Sequence, residues 1–197
     1  MAKGSKNKLS ISFNAPAVLV FSLACVLVML LDMLTKEQST KLLFSVHRSS
    51  FLDPLTYLRF FGHALGHADW DHLMGNIMYI LILGPMLEEK YGTWNMCFLM
   101  VATALITGVI HFIFFPTTML LGASGVVFAM ILLASITNLK SDAIPITFIL
   151  VAVLYIGQQI YQAVAVQDNV SNMAHIVGGT VGAGLGFLMN RWKMNRY

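Results

Sequence analysis

The sequence predicts an all-α membrane protein: six spans in one bundle, with a long folded first loop on the outer face. Three observations carry this. Hydrophobic residues make up 57% of the 197 positions and charged residues only 11%, with a mean hydropathy of +0.75, which departs from soluble-domain usage on both counts. Several apolar segments approach the roughly 20 residues that a helix needs to cross a bilayer core. The polar breaks between them are short, with one exception.

The spans fall near 17–34, 72–87, 93–115, 121–136, 144–164 and 173–189. The first follows "MAKGSKNKLS", which is basic and polar like a signal-peptide leader, but no small-residue cleavage pattern follows the apolar stretch at Asp32. It therefore reads as a retained helix. Residues 17–190 form the membrane domain, and 1–16 and 191–197 form two cytoplasmic tails. The exceptional connection, 35–71, mixes aromatic and apolar residues with Arg59, His63 and His67. Its "PLTYLRFF" and "HALGHA" read as short interfacial pieces on the outer leaflet.

Orientation follows from the cations. An even number of spans puts both termini on one side, with Lys3, Lys6, Lys8, Lys90, Lys140, Arg191, Lys193 and Arg196. The other side keeps Lys36, Lys41, Arg48 and Arg59, all in the long loop. The positive-inside rule then places both termini in the cytoplasm. The net charge of +3 reflects topology and anionic lipid, and nucleic acid is not an expected partner. Cys25 and Cys97 fall within spans, which argues against a disulfide framework.

Polar residues inside spans are costly and mark candidate sites. His72 and Asn76 in "DHLMGN" stand four apart, on one face at the outer end of the second span. Ser124 stands near the outer start of the fourth span, close to Gly122 and beside Gly125, and His175 stands near the outer start of the sixth. All four share one depth. Ala174, Gly178, Gly182 and Gly186 recur every four residues, a stripe that lets a neighbouring backbone approach closely. If the fourth helix fills that groove, Ser124 and His175 come within hydrogen-bond reach as nucleophile and base. A helix N-terminus at Ser124 would favour a developing oxyanion, with His72 and Asn76 as further donors. Neither the fourth nor the sixth span holds an acidic residue to orient His175, so the expectation is a dyad.

"GASG" around Ser124, "HLMGN" with His72 and Asn76, and "AHIVGGTVG" with His175, Gly178 and Gly182 resemble the three signatures of rhomboid intramembrane serine proteases, in that family's order. "GHALGHADWDH", "LEEKYG" with Glu88, and Arg59 in "YLRFF" extend the resemblance over roughly 55–188. It implies a rhomboid-like six-helix bundle that cleaves single-pass transmembrane proteins. Ser124 is then the nucleophile, His175 the base, and His72, Asn76 and the Ser124 amide the oxyanion hole. Glu88 braces the bundle and Arg59 supports the first loop. Water would reach the site from the outer face, and substrate would enter laterally near the second and fifth spans. The chain departs from the family pattern at Leu58, where tryptophan is common, and at Phe128, where tyrosine is common.

Two other function classes account less well for this pattern. A channel or transporter would spread polar residues through the membrane depth, whereas here they gather near one face. A proteolytically silent relative that binds transmembrane helices would lack the serine or the histidine, and this chain has both. His63 and His67 have a metal-like spacing, but "HALGH" lacks the glutamate a zinc peptidase uses as base. Neither metal nor cofactor is expected. A bacterial cytoplasmic membrane is the plainest expected location.

Overall fold

The computed structural model describes residues 13–137, 144–165 and 169–194. Its helices are α1 (Pro16–Leu34), α2 (Gln38–Leu43), α3 (Pro54–Gly62), α4 (Trp70–Tyr91), α5 (Thr93–Phe114), α6 (Ser124–Ser135), α7 (Ile146–Ala165) and α8 (Asn169–Met194). Among the described residues the only extended pairing is one antiparallel bridge, Val46 to Leu120. By length and apolarity, α1 and α5 qualify to cross a membrane, and α6 is a shorter apolar helix. Val20, Leu23 and Leu27 on α1 and Phe98 and Val101 on α5 are exposed. Their outward faces are thus as apolar as their inward ones, as lipid contact requires.

Local chemistry sets the helix ends. Asp53 caps α3 by accepting from the Leu55 amide at 3.0 Å, with Pro54 at the first helical position. Asp69 caps α4 by accepting from the His72 amide at 2.7 Å. Gly92, at φ +86°, makes the turn from α4 into α5. The start of α1 has no side-chain cap of its own. Glu88 of α4 supplies one: its two carboxylate oxygens each accept at 3.0 Å, from the Ala17 and Val18 amides, and Thr93 Oγ1 donates to it at 2.8 Å. A buried anion therefore faces the positive end of α1 and locks α1, α4 and α5 together.

The central helix is α6, whose Val126, Ala129, Met130 and Leu133 are buried in the main apolar core. Against it lies α8. A Cβ at Gly178 would run into the Gly125 backbone, one at Gly182 into the Ala129 backbone, and one at Gly186 into the Leu133 and Ile136 side chains. The small-residue stripe is thus a backbone-to-backbone contact at Gly178 and Gly182 and a seat for side chains at Gly186. At the end of the bundle away from Ser124, Asn190 Nδ2 donates to the carbonyls of Ile136 (3.1 Å) and Gly186 (2.9 Å) and to Tyr91 Oη (3.0 Å).

Three local expectations need correction. The fourth apolar segment does not become helical at 121; the helix begins at Ser124, because Leu120 is held in its bridge to Val46 and Gly122 is at φ +119°. "HALGHA", expected as a short interfacial piece, is a buried turn, with Ala64, His63 and His67 nearly inaccessible. Asp32 does not face water: it is 7% exposed and accepts from Ser39 Oγ (3.0 Å) and the Thr40 amide (2.8 Å), closing the corner between α1 and α2. Asp168, also expected to face water, lies outside the described residues.

Candidate active site

Ser124 is the first residue of α6, so its amide has no carbonyl partner within the helix; the first such bond runs from Val127 N to Ala123 O at 2.9 Å. The segment leading into it is fastened to the 35–71 loop at three successive points. Leu120 and Val46 exchange both backbone hydrogen bonds at 2.9 Å. The Gly122 amide donates to the His63 carbonyl at 2.9 Å. The Ala123 amide donates to His67 Nε2 at 3.4 Å. Gly122 is required twice over. Its backbone is left-handed, and a Cβ there would sit 2.7 Å from the His72 ring.

His67 holds this segment through its ring, in a defined tautomer, and His63 through its backbone carbonyl. Because His67 Nε2 accepts, its proton is on Nδ1, which donates to the Leu65 carbonyl at 3.1 Å. Burial, and the neighbouring His72, push the His67 pKa down to about 4. His63 Nε2 donates to the Ala104 carbonyl of α5 at 3.0 Å, and burial likewise lowers its pKa to about 4. His47, whose pKa is lowered by burial and by the Arg59 charge, adjoins the Val46 bridge. Arg59 is buried behind the loop, donating to the Leu42 carbonyl at 2.8 Å and pairing with Asp53 at 3.1 Å. Neither Arg59 nor Glu88 lines the cleft described next.

Ser124, His175, His72 and Asn76 line one open cleft of about 560 Å³, together with Asp71, Gly75 and Tyr79 of α4, Phe128 of α6, and Val151 and Leu154 of α7. Ser124 and His175 are half-buried and reachable. The Phe128 ring packs against the His175 imidazole with centroids 4.3 Å apart, which limits where the imidazole can swing. His72 is held from behind by His67, ring against ring at 5.0 Å. Asn76 is 7% exposed, and its Nδ2 has no hydrogen-bond partner among the described residues. A buried amide donor without an acceptor is destabilising unless a ligand or solvent atom meets it. The arrangement offers a hydroxyl, an imidazole and further donors around a single open pocket, which is the equipment for acyl transfer.

Sequence reasoning missed that His63 and His67 tether the segment leading into Ser124. A signal was present in the doubled Gly-His of "GHALGH". A Cβ at Gly62 would lie 2.8 Å from the Leu43 carbonyl, and one at Gly66 would strike the Phe44 carbonyl, so each glycine lets the loop backbone close over the histidine beside it.

The family model "Rhomboid domain" matches residues 54–192. Among characterised proteins, the chain is 31% identical over 154 residues to Rhomboid-related protein 2 of Mus musculus, covering 68% of this chain and 51% of that protein. It is 28% identical over 141 residues to Rhomboid-related protein 1 of Caenorhabditis elegans (66% and 39%). It is 22% identical over 140 residues to the chloroplastic Rhomboid-like protein 11 of Arabidopsis thaliana (64% and 50%). The matched region thus spans about half or less of each relative's length. With the all-helical bundle, the apolar α1 and α5 and a family match over most of the sequence, the chain belongs to the rhomboid family of integral membrane proteins.

Proposed function

We propose that this protein is an intramembrane serine endopeptidase that cuts transmembrane segments of single-pass proteins near the outer membrane face. The observation that carries this reading is the shared cleft of Ser124, His175, His72 and Asn76, with the buried Asn76 amide left unpaired. In this reading α1, α4, α5, α6, α7 and α8 are the six spans, the 35–71 loop lies on the outer leaflet, and both termini are cytoplasmic, as the cation distribution favours. The membrane is a bacterial cytoplasmic one, and substrate enters between α4 and α7.

His175 takes the proton from Ser124 Oγ as the oxygen attacks the scissile carbonyl carbon. The resulting oxyanion is met by Asn76 Nδ2, the His72 ring and the Ser124 amide. Collapse breaks the C–N bond while His175 returns the proton to the leaving nitrogen, releasing one fragment with a new amino terminus. Water, deprotonated by His175, then cleaves the acyl ester and restores Ser124. A helical substrate must unwind first, so glycine, proline and other weak helix formers near the cut favour cleavage.

The test is cleavage of a reporter transmembrane substrate by purified protein in detergent. Wild type is expected to cut, and Ser124→Ala and His175→Ala are each expected to lose about 10⁴-fold or more. If wild type is silent and a serine-directed phosphonate does not label Ser124, the chain is instead a binder of transmembrane helices.

A further inference from the structure

Among the described residues the cleft has one formally charged side chain, Asp71 of α4. The sequence explains why it stands alone. Neither α6 nor α7 contains an Asp, Glu, Lys or Arg, α8 has none before Arg191, and the other charges of α4, which are Glu88, Glu89 and Lys90, are at its far end. The connection between α7 and α8, 166–168, carries no cation either. None of the cations of the 35–71 loop lines the cleft. Arg59 is paired with Asp53 and Lys41 with Glu37, and Arg48 lies over the Phe112 ring. Among the described residues, the mouth of the site therefore has a carboxylate and no cation of the chain to offset it.

Local structure does not use this carboxylate. The cap of α4 is Asp69, which accepts from the His72 amide at 2.7 Å. Asp71 is exposed and has no ion pair among the described residues. An acid anywhere in the first turn suits the helix dipole. This one stands on the cleft face, in a row with Gly75 and Tyr79 that repeats every four residues. A Cβ at Gly75 would meet nothing within 4 Å, so the row is open between Asp71 and Tyr79. Position then decides what the charge can meet. Asp71 precedes Asn76 by five residues, which sets it about 7.5 Å further out along the helix axis. An extended peptide advances about 3.3 Å per residue. With the scissile carbonyl at Asn76, the side chain beside Asp71 belongs to a residue about two positions to the outer side of the cut. A lysine or arginine there can lay its apolar stem along the cleft and set its cation on the carboxylate. An acid there meets like charge.

We propose that Asp71 is a specificity-determining residue: it selects substrates with Lys or Arg about two positions to the outer side of the cut and rejects those with Asp or Glu there. The inference rests on the proteolytic reading of the cleft and names a substrate class for that site. Because the ion pair forms in an open cleft, the selection is moderate in size and weakens as salt is added.

The test uses full-length protein and reporter substrates carrying Lys or Glu in turn at each of the positions on the outer side of the cut. At low salt, wild type is expected to show a Lys-to-Glu ratio of kcat/KM of about tenfold at one of these positions. Asp71→Asn should bring that ratio close to one, Asp71→Lys should invert it, and Asp71→Glu should keep it, with thermal midpoints confirming that each variant is folded. The same ratio in wild type and in Asp71→Asn overturns the inference. A second readout needs no turnover: in Ser124→Ala, a carbodiimide should join the reporter lysine at the preferred position to Asp71, and adding Asp71→Asn should abolish the product. Coupling to other carboxylates alone, or none at all, overturns the inference even where cleavage proceeds. Coupling to Asp71 in a protein whose wild type cuts no reporter defeats the proteolytic reading and leaves the charge selection standing.

Discussion

The two ends of the bundle treat buried polar groups in opposite ways. At the end holding Glu88 and Asn190, the polar side chains are saturated. Glu88 accepts from two amides and a hydroxyl, and Asn190 Nδ2 donates to two carbonyls and to a phenol. At the end holding Ser124, Asn76 is almost as buried and lines the cleft, yet its Nδ2 has no partner among the described residues. Ser22, Thr40, His47, His63 and Thr103 also have an unpartnered buried atom, but none of them lines that cleft. Satisfied networks rigidify a fold, whereas an unsatisfied donor aimed into a cavity is held ready for an atom that arrives later. One end is scaffold and the other is poised for a ligand.

The sharpest way to break this contrast is at Glu88. Glu88→Ala strands the Ala17 and Val18 amides and the Thr93 hydroxyl, and should cost about 4 kcal/mol of stability. Cleavage per folded molecule should persist. A variant with an unchanged thermal midpoint and lost activity would move Glu88 from the scaffold to the site. Asn76→Ala inverts the pattern. It removes an unpaired donor, so the thermal midpoint should hold, while kcat should fall about 10²-fold, equivalent to about 3 kcal/mol in the transition state. Equal loss in kcat and in stability would show that Asn76 is held by the fold rather than reserved for substrate.

This contrast also explains what the sequence could and could not disclose. The long helices were legible because apolar runs and the spacing of Ala174, Gly178, Gly182 and Gly186 are local signals with fixed periods. The four cleft residues were legible because they are polar groups in apolar surroundings at one depth. The segment leading into Ser124 was not. Leu121 to Ala123 read as the first residues of the fourth helix, since nothing local reveals that Val46, His63 and His67 take the backbone hydrogen bonds of 120–123 from 56 or more residues away. Asp32 was misjudged for the same reason, because its partners Ser39 and Thr40 face it only once the chain turns after α1.

That tether has a pH signature. His67 is neutral in the folded protein and holds the Ala123 amide through a bare Nε2. Its folded pKa, about 4, lies below the ordinary value of 6.5. Above that ordinary value both folded and unfolded states are neutral and the group is silent. As pH falls below it, the unfolded chain takes up a proton that the folded one refuses, and stability declines until the folded pKa is reached. Between pH 7.5 and pH 5 the loss should be about 2 kcal/mol from this residue. His67→Gln keeps an acceptor for Ala123 without titrating, so thermal melts across that range should flatten by this amount. An unaltered pH profile would mean that the amide is not held by His67.

The smallest effect is expected at the saturated end, and its size is the point. Tyr91→Phe removes only the phenolic hydroxyl, which accepts from Asn190 Nδ2 at 3.0 Å and donates to Asn190 Oδ1 at 3.2 Å. The ring stays in the core. Asn190 Nδ2 keeps its bonds to Ile136 and Gly186 and only Oδ1 loses a partner, so the cost should be about 1 kcal/mol. Asn190→Ala, by contrast, releases both carbonyls and the phenol together and should cost more than Tyr91→Phe by a margin that thermal melts resolve. Because this network joins α4, the end of α6 and α8, neither change should alter kcat/KM for a reporter substrate at a temperature where both variants are folded. A fall in kcat/KM with Tyr91→Phe would mean that strain at the far end reaches Ser124 along α6, and the two ends would then be coupled through that one helix.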